Sequence, residues 1–385
     1  MLKQNYSSRD PVMSQGESCN AIDAAALLLT CLRGLPVPAP DEMDWQSLME
    51  LATAHGVLAL VYEALLEQGI EMPALFVEAA GTQKQDAERY ALELERLLQE
   101  FARREVEVLP LKGPALAEML LGDALMRLCD DLDLLVRRED FARAEGVLYE
   151  MGYIARQEAD DYHRKFNRGE MLVELHFAVV SPRSFVFDLD GVWHRVRQER
   201  FRNTPAFAMW QEDMVLFLCL HGLKHGFSRL IWIVDIAYAL STLPRGGFEK
   251  LMLTAQRQGL EQALLIACEF VAETLPERYS PEMEDVITGL PEGRSKARNA
   301  VEQIFTERAG ATTDPEIWGV YVQTEASARH RWLRRLMFLA PTVEDYRWAR
   351  RCGIPRGVAP IVRPFRLLHK YGPARAWRIL FPPRA

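Results

Sequence analysis

The sequence predicts an α+β fold: a small mixed sheet embedded between a helical N-terminal region and a helical C-terminal region. Three observations predict it. Helix-period apolar spacing runs to about residue 105, short apolar runs cluster between Val106 and Val180, and helical spacing returns after about Thr204. The implied organisation is a disordered leader at 1–20, a helical region at 21–105, an α/β core at 106–204, a helical domain at 205–330 and a basic Pro/Arg-rich tail at 331–385.

In Asp44–Gly69 the apolar residues recur at three- and four-residue steps, as one buried helical face requires, and Asp44 is placed to cap the first of these helices. A second long helical pattern runs from about Ala74 to Arg104. VEVLPL, residues 106–111, then reads as a buried strand that stops at Lys112-Gly113-Pro114. Gly113 suits an N-cap, and Pro114 the first position of the following helix. DDLDLLV reads as a strand, REDFARAEGVLYEMG as a helix, and further strands are expected from Gly152-Tyr153, in HRKFNR and in MLVELHFAV. Residues 209–241 read as one long or slightly broken helix, with helical patterns continuing to about Leu339. Pro and Gly in the last 30 residues predict an extended or partly ordered end.

Composition narrows the class. The chain has 385 residues, 49% hydrophobic and 26% charged, enough for a core in two or three packed units. A net charge of −8 argues against a general nucleic-acid coat. The charge is uneven, however: from Arg331 onward 13 Lys and Arg meet only Glu344 and Asp345, a local +11 against −19 for the rest. Such a tail can bind a phosphate-rich partner or anionic lipid, or fold back on the acidic body. The six cysteines include no CxxC pair, so neither a zinc knuckle nor a thioredoxin-type site is indicated. The polar first residues do not resemble a secretory signal, and no apolar run reaches the length of a membrane span. The expected compartment is a reduced cytoplasm.

The chemistry gathers around DDLDLLV. Asp131 and Asp133 are two residues apart, so on a strand both carboxylates project to one face, while Leu132 and Leu134 point to the other. Asp130 falls on the leucine face and is left out of the site. Two carboxylates together repel unless a cation neutralises them. Mg²⁺, which takes one or two carboxylates plus phosphate oxygens and water, is the natural choice, with Mn²⁺ as the alternative. A D-x-D pair alone also describes two solvated acids at a strand end. Three neighbours add to it. Lys112-Gly113 stands at a helix start, where backbone N–H groups attract phosphate and the lysine adds a point charge. Arg127 can hold a phosphate or pair with a carboxylate. Glu174 is an acid in an otherwise apolar strand; it either faces a cation or water in the site, because burying an unpaired carboxylate is costly, or is an ordinary outward-facing strand residue.

LKG, then R-x-x-x-D-x-D-L-L-V, then ELH, then H-x-x-x-H on a later helix resembles the uncharacterised bacterial nucleotidyltransferase family of the polymerase-beta-like superfamily. The resemblance runs from about Trp45 to Leu240 and includes AxxHGVxxLVYxxL at 52–65 and WIVDIAYAL at 232–240. It implies a nucleotidyltransferase core, with Asp131 and Asp133 as metal-binding carboxylates and Glu174 as a third ligand or the base that activates an acceptor hydroxyl. Lys112 and Gly113, with Arg127, take the nucleotide-binding positions. The wider superfamily usually carries Gly-Ser where this chain has Lys112-Gly113, so a serine hydroxyl is missing there.

By helical periodicity His221, Lys224, His225, Ser228, Trp232 and Asp235 share one side. Without an HExxH glutamate the His pair is no zinc signature. The side reads either as a wall of the nucleotide or acceptor pocket or as a hydrogen-bonded seam between two units, and His176 carries the same two readings. The expectation is transfer of a nucleoside monophosphate, ATP being the first candidate donor, to a small-molecule, sugar or peptide acceptor, with release of pyrophosphate. The alternatives are a nucleotide-binding module that has lost its chemistry, and a transferase directed to RNA by the aromatic-studded basic tail.

Overall fold

The computed structural model describes residues 24–39, 41, 43–159, 161–181, 185, 187–292, 294–295, 297–299, 343–355 and 363–371. The predicted leader and much of the predicted tail lie outside them.

Helices come first: α1 (Ala24–Arg33), α2 (Trp45–Ala54), α3 (Leu58–Glu67) and α4 (Ala74–Arg103). Asp44 caps α2, its side chain accepting from the Ser47 N–H at 3.0 Å. With 30 residues, α4 spans about 45 Å at 1.5 Å per residue. It serves two cores. Phe76 and Ala80 pack with α1–α3 and the later helices, while Ala91, Leu94, Leu97, Leu98 and Phe101 pack on the sheet.

The sheet follows. It is built from β1 (Val108–Pro110), β2 (Leu132–Val136), β3 (Ile154–Ala159), β4 (His163–Arg168) and β5 (Met171–His176), with α5 (Pro114–Leu121) after β1 and α6 (Phe141–Glu150) after β2. Its order is β1-β2-β5-β4-β3. β2 and β5 run parallel, and the other neighbours are antiparallel. All five residues of β2 are buried. Leu132 and Leu134 join the core made with α4 and α6, and Leu135, on the opposite face, joins the helical core. Asp133 shares the Leu135 face and must therefore find polar partners there. This is the α+β architecture the sequence predicts: helices, a small mixed sheet, then helices.

After the sheet come α7 (Leu189–Arg195), the hairpin β6 (Arg197–Phe201) and β7 (Thr204–Ala208), and helices α8 (Gln211–Lys224), α9 (Leu230–Ser241), α10 (Gly247–Gln258), α11 (Glu261–Thr274) and α12 (Pro281–Thr288). The hairpin is absent from the sequence reading, and its turn shows why. Arg202 takes φ +50° without being glycine. Tertiary contacts hold it: its N–H donates to Glu118 at 2.9 Å and its guanidinium pairs with Glu88. Helices Val343–Arg351 and Arg363–Tyr371 occur within the predicted tail, the second of them in the last 30 residues, where an extended or partly ordered end was expected. Pro364 is tolerated in the second because it sits in the first turn, where its missing N–H costs no helical bond. No helix among the described residues is long and apolar enough to cross a membrane.

The stretch 209–241, read as one long or slightly broken helix, is two helices. The chain turns at Gly226 and Phe227, both at positive φ. Phe227 folds back onto α8, stacks on Phe270 of α11 with centroids 4.3 Å apart, and donates its N–H to the Gly222 carbonyl at 2.8 Å. A Cβ at Gly222 would stand 2.6 Å from the Phe227 ring. Gly222→Ala gains about 1 kcal/mol of helix propensity but overpacks a buried ring, at a cost of about 1–3 kcal/mol. We expect a lower urea midpoint for this variant; a raised midpoint would show that the ring is not wedged there.

Candidate active site

The site forms where β1 delivers the chain to the start of β2. Antiparallel pairing sets Pro110 opposite Leu134, and the Leu111 N–H donates to the Asp133 carbonyl at 2.9 Å. The next side chain, Lys112, then reaches over both acids. Its Nζ donates to Asp131 Oδ1 at 2.7 Å and lies 2.6 Å from Asp133 Oδ2. The second contact is an ion pair without hydrogen-bond alignment, which leaves this buried oxygen no hydrogen-bond partner. Gly113 follows at φ +75° as the N-cap of α5, with Pro114 at the first position. A Cβ at Gly113 would meet Cys129 Sγ at 3.0 Å, and the Cys129 thiol donates to the Asp131 carbonyl at 2.6 Å. The glycine thus lets the start of α5 lie against the loop that carries the acids.

Parallel pairing of β2 and β5 sets Asp133 beside Glu174, and antiparallel pairing of β4 sets Lys165 opposite Glu174 and His163 opposite His176. His176 Nε2 donates to Asp133 Oδ1 at 2.9 Å and lies 3.6 Å from Glu174 Oε2. Its Nδ1 is 3.3 Å from the Ala178 carbonyl. Oxygens face both ring nitrogens, an arrangement that suits an imidazolium donating from both. Lys165 Nζ meets Glu174 Oε1 at 2.5 Å, His163 Nε2 stands 3.4 Å from Oε2, and the two imidazoles stack at 4.8 Å.

Charge balance decides the protonation states. Burial works against the Lys112 charge, but Asp133 and Asp131 outweigh it and hold the ammonium charged well above its usual range. Burial would raise Asp133, yet Lys112 and the His176 hydrogen bond hold it well below the carboxylate range. Glu174 falls to about 2, burial being overcome chiefly by His176 and Lys165. Burial and the neighbouring Asp133 raise Asp131, the more exposed of the pair, against the pull of Lys112.

Arg127 is buried and engaged. Its Nε donates to Asp235 Oδ1 at 3.2 Å and Oδ2 at 3.0 Å, and Nη2 lies 3.0 Å from Oδ2. Of its two sequence readings, the structure displays the carboxylate pair. The pair clamps the loop before β2 to α9. His221 and His225 lie at the end of α8, where the charges of Lys112 and Asp133 reach both rings. Lys224 donates to the Tyr162 hydroxyl at 2.6 Å. Asp130 is exposed and pairs with Arg229 at 3.1 Å.

The profile of the uncharacterised nucleotidyltransferase family matches residues 41–276. The chain belongs to this family. The match takes in the sheet, both acid-bearing strands and α8–α9. Among solved structures, this nucleotidyltransferase chain is similar to two of ANT(2″)-Ia. One is a crystal structure in complex with adenylyl-2″-tobramycin (15% identity, TM-score 0.36, covering 44% of this chain and 98% of that one). The other is a solution structure of the same antibiotic-resistance factor (14%, 0.35, 44% and 92%). No curated protein matches the chain.

Asp133 and Glu174 suit a divalent cation, and His176 can join them as a ligand only after giving up its proton, since a ligating imidazole is neutral. One ligand atom from each of Asp133, Glu174 and His176 lies within 4.8 Å of the others, and all three residues are buried. Asp131 stands one step outward, held by Lys112. His163 and Lys165 were missed by sequence reasoning. Their signal was weak: HRKFNR alternates, but only the register with β5 aims its first and third residues at Glu174 and His176.

Two predictions follow from this geometry. Arg127→Ala leaves Asp235, 3% exposed, buried without its partner and should cost about 3–5 kcal/mol in urea denaturation; the double variant Arg127→Met, Asp235→Leu should recover most of it. The second concerns His225, pushed down to about 3, first by burial and then by Lys224 and Lys112, from an ordinary 6.5. Between those values the unfolded chain binds a proton that the folded chain refuses, so stability falls as pH drops from about 6.5 toward 3. His225→Gln should flatten that part of the thermal-midpoint profile; an unchanged slope contradicts the assignment.

Proposed function

We propose that this family member transfers a nucleoside monophosphate from a nucleoside triphosphate, ATP first among the candidates, to an acceptor hydroxyl or phosphate, releasing pyrophosphate. The observation that carries the reading is the Lys112 ammonium set between Asp131 and Asp133, next to the Asp133–Glu174–His176 trio. It combines a lysine able to hold phosphate with acids able to hold a divalent cation.

Asp131, Asp133 and Glu174, with His176 beside them, would hold Mg²⁺ or Mn²⁺. When bound, such an ion neutralises phosphate oxygens and polarises the phosphoryl group. Glu174 is met by Lys165, His163 and His176, which fixes its carboxylate and favours a ligand role over proton transfer. Lys112 supplies positive charge to the triphosphate, and the N–H groups at the start of α5 after Gly113 offer donors to the same oxygens. Arg127, clamped by Asp235, positions the loop carrying Asp131 and adds positive potential at the phosphates. The acceptor oxygen attacks the α-phosphorus, a hydroxyl acceptor giving up its proton to water; a new O–P bond forms, the bond from the α-phosphorus to the oxygen bridging to the β-phosphate breaks, and pyrophosphate leaves with its electron pair. Catalysis then rests on positioning and charge stabilisation. A small-molecule, sugar or peptide acceptor suits the acidic body of the chain.

Asp133→Asn and Asp131→Asn should each lower pyrophosphate release from Mg²⁺ and ATP with an acceptor by at least about a hundredfold, the scale of losing one charge-stabilising group, while circular dichroism shows an intact fold. Full turnover in Asp133→Asn would sink the reading.

A further inference from the structure

Three rings meet where α8 turns into α9. The centroid of His221 lies 4.9 Å from that of His225 and 5.6 Å from that of Trp232, and His225 lies 5.0 Å from Trp232 with their planes 32° apart. The Gly226–Phe227 turn creates the meeting, because it folds α9 back so that Trp232 reaches the imidazoles one helical turn apart on α8. The apolar side chains around them on the same helices, Leu220, Leu223, Ile231 and Ile233, are no more than 4% exposed. The three rings are only half-buried. His225 and Trp232 present a partly open aromatic surface, with His221 edge-on to them at 62° and 88° and Trp232 also packed on the helical core.

The chemistry of this surface is specific. Burial holds both imidazoles in the neutral form, so the face is uncharged and aromatic. Arg229 pairs with Asp130 at 3.1 Å, and Lys224 donates to the Tyr162 hydroxyl, whose ring lies 5.7 Å from that of His176, so the turn carrying these rings lies beside the acid cluster. Between residues 217 and 238 the sequence has a single acid, Asp235, and Arg127 engages it. The exposed charge on this stretch is cationic, from Lys224 and Arg229. Arg229 is paired with Asp130 and Lys224 donates to Tyr162, so a planar neutral ring tethered to a polyanion meets an aromatic surface near the Lys112 ammonium.

We propose that the His221–His225–Trp232 face stacks the nucleobase of the bound nucleoside triphosphate. The proposal rests on reading Lys112, Asp131 and Asp133 as the phosphate end. Stacking a base on aromatic side chains is sequence-tolerant and contributes enough to change affinity by roughly tenfold or more.

Calorimetry on the full chain with Mg²⁺ tests it, using ATP and inorganic tripolyphosphate, which lacks base and ribose. Wild type should bind ATP more tightly than tripolyphosphate. Trp232→Ala and His225→Ala should each weaken ATP about tenfold and leave tripolyphosphate within about twofold, and Trp232→Phe should retain ATP binding. If Trp232→Ala does not fold, His225→Ala carries the test. Equal loss of both ligands, or loss of neither, overturns the stacking face while leaving the proposed function standing. A wild-type chain that binds neither ligand overturns the proposed function and the stacking face together.

Discussion

The ammonium of Lys112 between Asp131 and Asp133 is the interaction on which the centre of the molecule depends. Two carboxylates this close, Asp131 just before β2 and the buried Asp133 within it, would repel strongly in a low-dielectric interior. Lys112 reaches both because β1 pairs antiparallel with β2, ending with Pro110 opposite Leu134 and Leu111 donating to the Asp133 carbonyl. Gly113 must then turn at positive φ to start α5 beside Cys129. His176 and Lys165 extend the same balance to Glu174, so three acids are met by three cationic side chains within one sheet face. The cluster is costly to assemble and intolerant of losing one member, as expected of a site kept for chemistry rather than for stability.

A second ion pair connects this cluster to the helices. Arg127 and Asp235 lie 108 residues apart, and both are almost fully buried. Their bond fixes the loop before β2 against α9. The same helix carries Trp232, and the turn before it places His221 and His225 within electrostatic reach of Lys112. Sheet and helices thus share one polar junction, while separate apolar cores support each side.

Much of the site was legible residue by residue. D-x-D on a short apolar run, Lys-Gly-Pro at a strand-to-helix junction and a glutamate inside an apolar strand each carry a local physical signal, and family resemblance joined them. The partners were less legible. Whether Arg127 faced a phosphate or a carboxylate depended on a residue 108 positions away. His163 and Lys165 became site neighbours only through the register of β4 on β5. The β6–β7 hairpin stayed hidden because contacts with Glu88 and Glu118, not local turn chemistry, hold its turn at Arg202.

The sequence by itself determined the α+β class, the position of elements such as α4, β2, β4 and β5, and which side chains bear the charges near β2, because periodicity, caps and strand alternation are local effects. Only the tertiary structure decided which charge answers which. It joined Lys112 to both aspartates, Arg127 to Asp235, and His176 to Asp133. Strand order, register and the break between α8 and α9 set these pairings, and they arise from burial and close packing between segments far apart in the chain.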